Sequence, residues 1–301
     1  MDRQTFQRSA TRTHRQKVHR LSHNWIKGTT MQDKQFTDDE LLELLKVGLE
    51  KDYIAPWFQP VMDPSGTIMH SAEALPRFID PEYGVISPMT FLDVAHRYRL
   101  LGPIGEVLLI KTCEAHAVWQ ERDIAPGLVT INLSSLELQT DGIVDRIRLA
   151  LDKAGIAGEN LGVEVVEATV YEDGCEKSLK AIDDFVAFGV KIIVDDVGTG
   201  DTKVENLKRL HASAAKIDRM TVSVLGEDDA ALERVKKLSE VCDQASVHLI
   251  AKGVETRLQI DTLVDVGCAG QQGFAIARPM PLDSFTEWLD LNTGWDSSDA
   301  A

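Results

Sequence analysis

An α/β fold, a TIM-like (β/α)8 barrel, is the class that this sequence predicts, and three observations predict it. Eight short apolar or β-branched runs recur along the chain, the longer segments between them carry helical spacing, and polar residues close one run after another. Runs without alternation read as strands buried on both faces, which means a parallel sheet. Eight of them favour a closed barrel over an open sheet. The 301 residues suffice for such a barrel, which needs about 250, plus an extension.

The elements follow in order. Thr37 with Glu40 three residues later forms a capping-box pattern, and Leu41, Leu42, Leu44, Leu45 and Leu49 share one broad face, so a helix is expected over 38–51. Strands are expected at 56–61, 68–75, 127–132, 161–166, 190–194, 213–217, 247–251 and 270–275. Helical faces lie over 88–99, which opens with Ser87-Pro88, and over 103–121, 141–154, 175–188, 228–244, 256–266 and 282–290. No strong internal repeat and no Pro/Gly-rich linker divides this stretch.

Composition excludes several classes. The net charge is −16, which argues against a DNA partner held by a general basic surface of the barrel. That charge is uneven: residues 1–34 hold eight basic and two acidic residues, a balance of +6, leaving −22 for the remainder. The expected organisation is a basic, disordered arm over 1–34, a barrel domain over 35–292 and a flexible tail over 293–301. No run of about 18 apolar residues is present, and the Arg-rich start lacks the apolar core of a signal peptide. A cytoplasmic protein without membrane contact is expected. Cys113, Cys175, Cys242 and Cys268 lie far apart with no C-x-x-C pair, so neither a zinc site nor a disulfide framework is suggested.

Polar residues at the C-terminal ends of barrel strands point into the mouth. Here Glu73 closes SAE, Asn132 closes VTIN, Glu164 closes LGVE, Asp195 and Asp196 close KIIVDD, Lys216 closes SAAK and Lys252 closes LIAK, while Gln272 follows in CAGQQG. Buried charges stay ionised only when paired or bound to metal, so a series of this kind demands a ligand. Oxygen donors without a Cys or His cluster select a hard cation such as Mg²⁺, Mn²⁺ or Ca²⁺. Adjacent Asp195 and Asp196 could serve two ions, which would clamp a phosphodiester and activate a water. A glycosidase built on Glu164 and Glu167 fits less well, because opposed carboxylates about 5–9 Å apart are required.

These residues carry a family resemblance. EALPRF at 73–78 resembles the signature of EAL domains, which hydrolyse or bind the bacterial second messenger cyclic di-GMP. FQPVMD, VTINLSS, EVVE, VDDVGTG, AAKID, KGVET and QQG resemble further blocks of that family, in family order, over about residues 38–290. The resemblance implies a barrel of the EAL type and a metal set of Glu73, Asn132, Glu164, Asp195 and Asp196. It also implies Lys216 as the group that positions the attacking water, Asp196 and Glu255 in its support, and Glu167 as anchor of the loop after Asp196. Arg77 would hold ligand phosphate, and Gln59, Leu75 and Gln272 would line the ligand, with Lys252 beside them as a departure from the family. Mg²⁺ or Mn²⁺ is the implied cofactor, with Ca²⁺ inhibitory, and a homodimer through helices near the double-aspartate loop is implied as well. A protein partner stays open.

Two departures from the family pattern bear on function. Lys252-Gly253-Val254-Glu255 stands where active members usually read Glu-Gly-Val-Glu, and Val197 stands where they usually carry Phe after the double aspartate. An ammonium beside a divalent ion is repelled by several kcal/mol even at an effective dielectric near 20. Either the second ion is lost or Lys252 swings away; with hydrolysis weak or lost, Lys252 could stand in for the missing cation and pair with a phosphate. The expectation is recognition of cyclic di-GMP with hydrolysis to pGpG weak or lost. The alternatives are a fully active Mg²⁺- or Mn²⁺-dependent phosphodiesterase and a ligand-independent adaptor.

Overall fold

A computed structural model describes residues 36–171, 175–200 and 202–292. The expected arm over 1–34, the tail over 293–301 and Asp201 lie outside the described residues. The described residues divide into two compact units, one made of 36–53 together with Phe78–Tyr98, the other of Ile54–Arg77 and the described residues from Arg99 to Asn292.

In the smaller unit, helix α1 (Asp38–Glu50) begins with the expected capping box: the Thr37 hydroxyl accepts from the Glu40 backbone N–H, and the Glu40 carboxylate accepts from that of Thr37. Leu41 and Leu45 are its buried face. Gly48 admits the Phe78 ring, since a Cβ there would lie 2.5 Å from it. Phe78 in turn meets Phe91 edge-on at 6.3 Å between centroids.

The larger unit contains the barrel. Strand β1 (Ile54–Met62) is followed by β2 (Met69–Asp80), which continues into the smaller unit and there pairs with β3 (Gly84–Ile86). Next come α2 (Pro88–Arg97) of the smaller unit, α3 (Leu101–Gln120), β4 (Val129–Asn132), α4 (Ser135–Leu138), α5 (Ile143–Ala154) and β5 (Leu161–Val166). Then follow α6 (Cys175–Ala187), β6 (Lys191–Val197), α7 (Val204–Arg209), β7 (Ala212–Ile217), α8 (Arg219–Ser223) and α9 (Asp229–Ala245). The chain finishes with β8 (His248–Ala251), α10 (Arg257–Asp265), β9 (Gly270–Gln271), β10 (Met280–Pro281) and α11 (Leu282–Asn292). Among the described residues no helix is long and apolar enough to cross a membrane.

The sheet closes in the order β1-β9-β8-β7-β6-β5-β4-β2, with β2 returning to β1. From β2 through β9 neighbours run parallel, as expected. Strand β1 is the exception, antiparallel to β9. Its link to β2 is too short for a crossover helix and folds as a turn, in which Asp63 Oδ1 accepts from the N–H groups of Thr67 and Ile68. The last strand also ends earlier than its expected 270–275. After Gln271 the chain turns against 251–254, with Val254 N donating to Gln272 O and Ala275 N to Val254 O. Gly273 permits this approach, because a Cβ would fall 2.1 Å from Val254 O.

Inside the ring, Val61, Ile193, Ala214 and Ile250 form an apolar cluster. Gly162 and Gly270 belong to the same level, Gly162 against Ile193 and Gly270 against Ile250 and Val61. Side chains on a strand return to the same face every second residue. The next interior level is therefore Glu164, Asp195, Lys216, Lys252 and Gln272, and the polar mouth sits directly on an apolar floor.

Candidate active site at the barrel mouth

Lys216 lies at the centre of this level. It is fully buried, and its Nζ donates to Glu73 Oε2 at 2.7 Å and to Glu164 Oε1 at 2.5 Å. Asn132 Nδ2 donates to Glu73 Oε1 and Gln272 Nε2 to Glu73 Oε2, both at 2.9 Å, so Glu73 accepts three side-chain hydrogen bonds. Glu73 lies within β2 rather than at its end, because the strand runs on to Asp80; it is the pairing with β4 that stops there, at Glu73 opposite Thr130. The same break in pairing accommodates Pro76, which has no N–H to donate.

The two glutamates titrate in opposite directions. Burial would raise the Glu73 carboxyl, but the Lys216 charge and the three donors outweigh it and hold it at about 2. Glu164 is pushed up to about 7, by burial first and then by the Glu73 charge, against the pull of Lys216. Lys216 itself is raised: burial disfavours its charge, yet Glu164, Glu73 and Asp195 outweigh burial. Glu164 Oε2 is buried without a hydrogen bond. Such orphaned oxygens are rare in folded proteins and call for an explanation such as an absent ion.

A second lysine closes the mouth from β8. Lys252 Nζ lies 2.6 Å from Asp195 Oδ1 and 2.6 Å from Asp196 Oδ1, donating to the latter. Asp195 Oδ1 has the ion pair without hydrogen-bond geometry. Burial raises the Asp195 pKa, with Lys252 and Lys216 opposing. Lys252 is raised because the aspartates outweigh its desolvation. Lys252 therefore neither swings away nor stands free; it bridges the double aspartate. Asp196 reaches this position through a left-handed backbone, φ 55°, beside an irregularity in the β6–β7 register between Val194 and Val197. Held strain of this kind collects at functional sites.

The remaining expected residues divide. Glu167 accepts from Thr202 Oγ1 at 2.7 Å and Asn206 Nδ2 at 2.8 Å, which ties it to the chain after the double aspartate. Gln59 donates to Ala277 O at 2.8 Å. Arg77 stacks over Trp57 with its charge 5.3 Å from the ring centroid, and desolvation lowers its pKa. Leu75 is half-buried in β2. Glu255 does not join the cluster around Lys252; it pairs with Arg219 at 2.8 Å, and both are exposed. Val197 is fully buried and paired with Ile217, so its methyl groups pack within the wall of the barrel.

Sequence reasoning missed three participants. Thr130 donates to Glu164 Oε1 at 2.5 Å and precedes Asn132 by two on the same strand, a period that could have flagged it. Asn206 and Arg219 act through partners 39 and 36 residues away and left no local signal.

The donors are all oxygen, and the orphaned Glu164 Oε2 with the unbonded Asp195 Oδ1 fits a hard cation. As the side chains stand, no three His, Cys, Asp or Glu among the described residues form a set that could hold a metal ion. Lys216 and Lys252 supply positive charge between the carboxylates.

The closed barrel gathers carboxylates, amides and ammonium groups at its strand ends. The chain belongs to the EAL domain family, which it matches over residues 41–279. It is 35% identical over 245 residues to the bifunctional diguanylate cyclase/cyclic di-GMP phosphodiesterase MucR of Pseudomonas aeruginosa, covering 81% of this chain and 36% of that protein. The cyclic di-GMP phosphodiesterase PdeR of Escherichia coli is 28% identical, over 81% of this chain and 36% of its own. The chain thus spans about a third of the length of these curated relatives. A solved structure of the PaMucR phosphodiesterase in complex with c-di-GMP superposes with a TM-score of 0.77 at 34% identity, covering 81% of this chain and 99% of that one.

Proposed function

We propose that this barrel recognises cyclic di-GMP at its mouth and that hydrolysis to pGpG is weak or lost. One observation carries the proposal: the Lys252 ammonium sits 2.6 Å from both Asp195 and Asp196, where a cation assisting hydrolysis would have to bind. Kinship with proteins described as cyclic di-GMP phosphodiesterases supports the choice of ligand.

Glu73, Asn132, Glu164 and Asp195 would hold a Mg²⁺ or Mn²⁺ ion, whose contribution when bound is to neutralise charge on the scissile phosphate and acidify water. The other roles belong to side chains. Lys216 keeps Glu73 and Glu164 in place through two short ammonium hydrogen bonds. Arg77, half-desolvated over Trp57, offers a cation to a phosphate oxygen. Glu167 holds the segment behind Asp196 through Thr202 and Asn206. Lys252 adds positive charge beside Asp195 and Asp196 and removes the further carboxylate that a glutamate at its position would offer to water.

The intact set of Glu73, Asn132, Glu164, Asp195 and Lys216 favours a second reading, in which hydrolysis proceeds at full rate. Incubation with cyclic di-GMP and Mn²⁺, following pGpG by chromatography, separates the two, with binding measured in parallel in Ca²⁺. Tight binding with little product is expected. Rapid product would establish the second reading, and absence of binding would leave an adaptor that acts on a protein partner.

A further inference from the structure

We infer that Lys252 is a built-in substitute for one of two cations, so that the mouth of this barrel takes a single divalent ion. The inference rests on the proposed function only in locating the chemistry at the strand ends, and it stands whether or not a dinucleotide binds.

Charge supports it. Fully ionised, as metal ligands must be, Glu73, Glu164, Asp195 and Asp196 carry four negative charges, and Lys216 and Lys252 return two positive ones. The balance of −2 is what one divalent ion neutralises. Among the described residues, the other side chains hydrogen-bonded to the cluster, Thr130, Asn132 and Gln272, are neutral, while Glu255 is turned to Arg219, Glu167 to Thr202 and Asn206, and Arg77 to the Trp57 ring. A glutamate in place of Lys252 would shift the balance to −4, enough for two ions.

Geometry supports it independently. The ammonium is equidistant from Asp195 and Asp196, in a bridging position. A Mg²⁺ ion needs oxygens at about 2.0–2.1 Å and cannot share that space with it. The turn behind Lys252 is also secured. Gly253, at φ +70°, lies under the Arg219 side chain, where a Cβ would meet Arg219 Cγ at 2.4 Å. Arg219 pairs with Glu255, and Val254 N donates to Gln272 O at 3.0 Å. The backbone is thereby held on both sides of the lysine. The donor left over is Glu164 Oε2, an oxygen without a hydrogen bond in a residue only 1% exposed.

The test counts ions rather than turnover. Metal-free full-length chain is titrated with Mn²⁺, and the bound ion is quantified by electron paramagnetic resonance and calorimetry. One Mn²⁺ per chain is expected in the wild type and two in Lys252→Glu. Lys252→Gln, which removes the ammonium without adding a carboxylate, should take its second ion more weakly, by at least tenfold. Zero or two ions in the wild type would overturn the inference. So would a single ion in Lys252→Glu, or, if that variant does not fold, a single ion in Lys252→Gln. One Mn²⁺ bound by a wild type that fails to bind cyclic di-GMP would overturn the proposed function and still support this inference.

Discussion

Two lysines occupy neighbouring strands of the same barrel mouth, Lys216 on β7 and Lys252 just past β8, and they do different things. Lys216 is sealed from solvent and clamped between Glu73 and Glu164, which lie 143 and 52 residues away in sequence. Lys252 is 18% exposed and bridges two carboxylates that are adjacent in the chain, one of them, Asp196, 47% exposed. A buried ammonium cannot leave without stranding its partners, so Lys216 belongs to the structure as much as to the chemistry. One at the lip can be exchanged for another cation. The comparison teaches that a residue's role in such a site follows from its depth rather than its type.

Removing Lys216 should have the largest effect. Lys216→Met leaves two buried carboxylates uncompensated and is expected to cost about 3–5 kcal/mol in urea unfolding. The equivalent change at Lys252 should cost less than about 1 kcal/mol. Equal losses at both positions would erase the distinction.

Next in size is the pH dependence of the metal-free protein. Folding raises the Glu164 carboxyl from 4.5 to about 7, so between those values the native state holds a proton that the unfolded chain releases. Stability should fall as pH rises through that window, by at most about 1.4 kcal/mol per unit. Glu73 works oppositely: its carboxyl is depressed to about 2, so its contribution is complete above 4.5 and disappears as pH falls toward 2. Glu164→Gln should flatten the near-neutral slope while leaving the acid limb, and an unchanged slope would show that Glu164 is not its source.

A smaller effect falls on activity. Lys252→Glu should raise hydrolysis of cyclic di-GMP by about tenfold or more, roughly 1.4 kcal/mol of barrier, because it replaces repulsion of a cation by attraction. Equal rates for the two proteins would mean that Lys252 does not limit turnover. The smallest is Arg219→Ala, which breaks an exposed pair with Glu255 and should cost about 0.2–1 kcal/mol in thermal or urea unfolding. A loss above about 2 kcal/mol would mean that the Arg219 stem over Gly253, rather than the ion pair, secures the Lys252 turn.

Much of this was legible before any coordinates. The capping box at Thr37 and Glu40 is a local pattern and forms as expected. The parallel strands from β2 to β9 follow from runs without alternation, and Glu164, Asp195 and Lys216 were marked as mouth residues because they close or nearly close their runs. Other features were not legible. The direction of β1 depends on a turn at Asp63 that reads as an ordinary loop, and β9 is cut short by a contact between two turns at Gly273 and Val254.

By itself, then, the sequence determined the alternation of strands and helices, the polar character of the mouth and the family, since periodicity, capping and motif order reside in neighbouring residues. The tertiary structure alone decided which charges meet. Lys252 and Glu255 stand three residues apart in one motif, yet the first turns to Asp195 and Asp196 and the second to Arg219. Closing the barrel brings side-chain atoms from distant strand ends within 3 Å of one another, where burial strengthens electrostatics and each buried charge must find a partner, and no local pattern carries that choice.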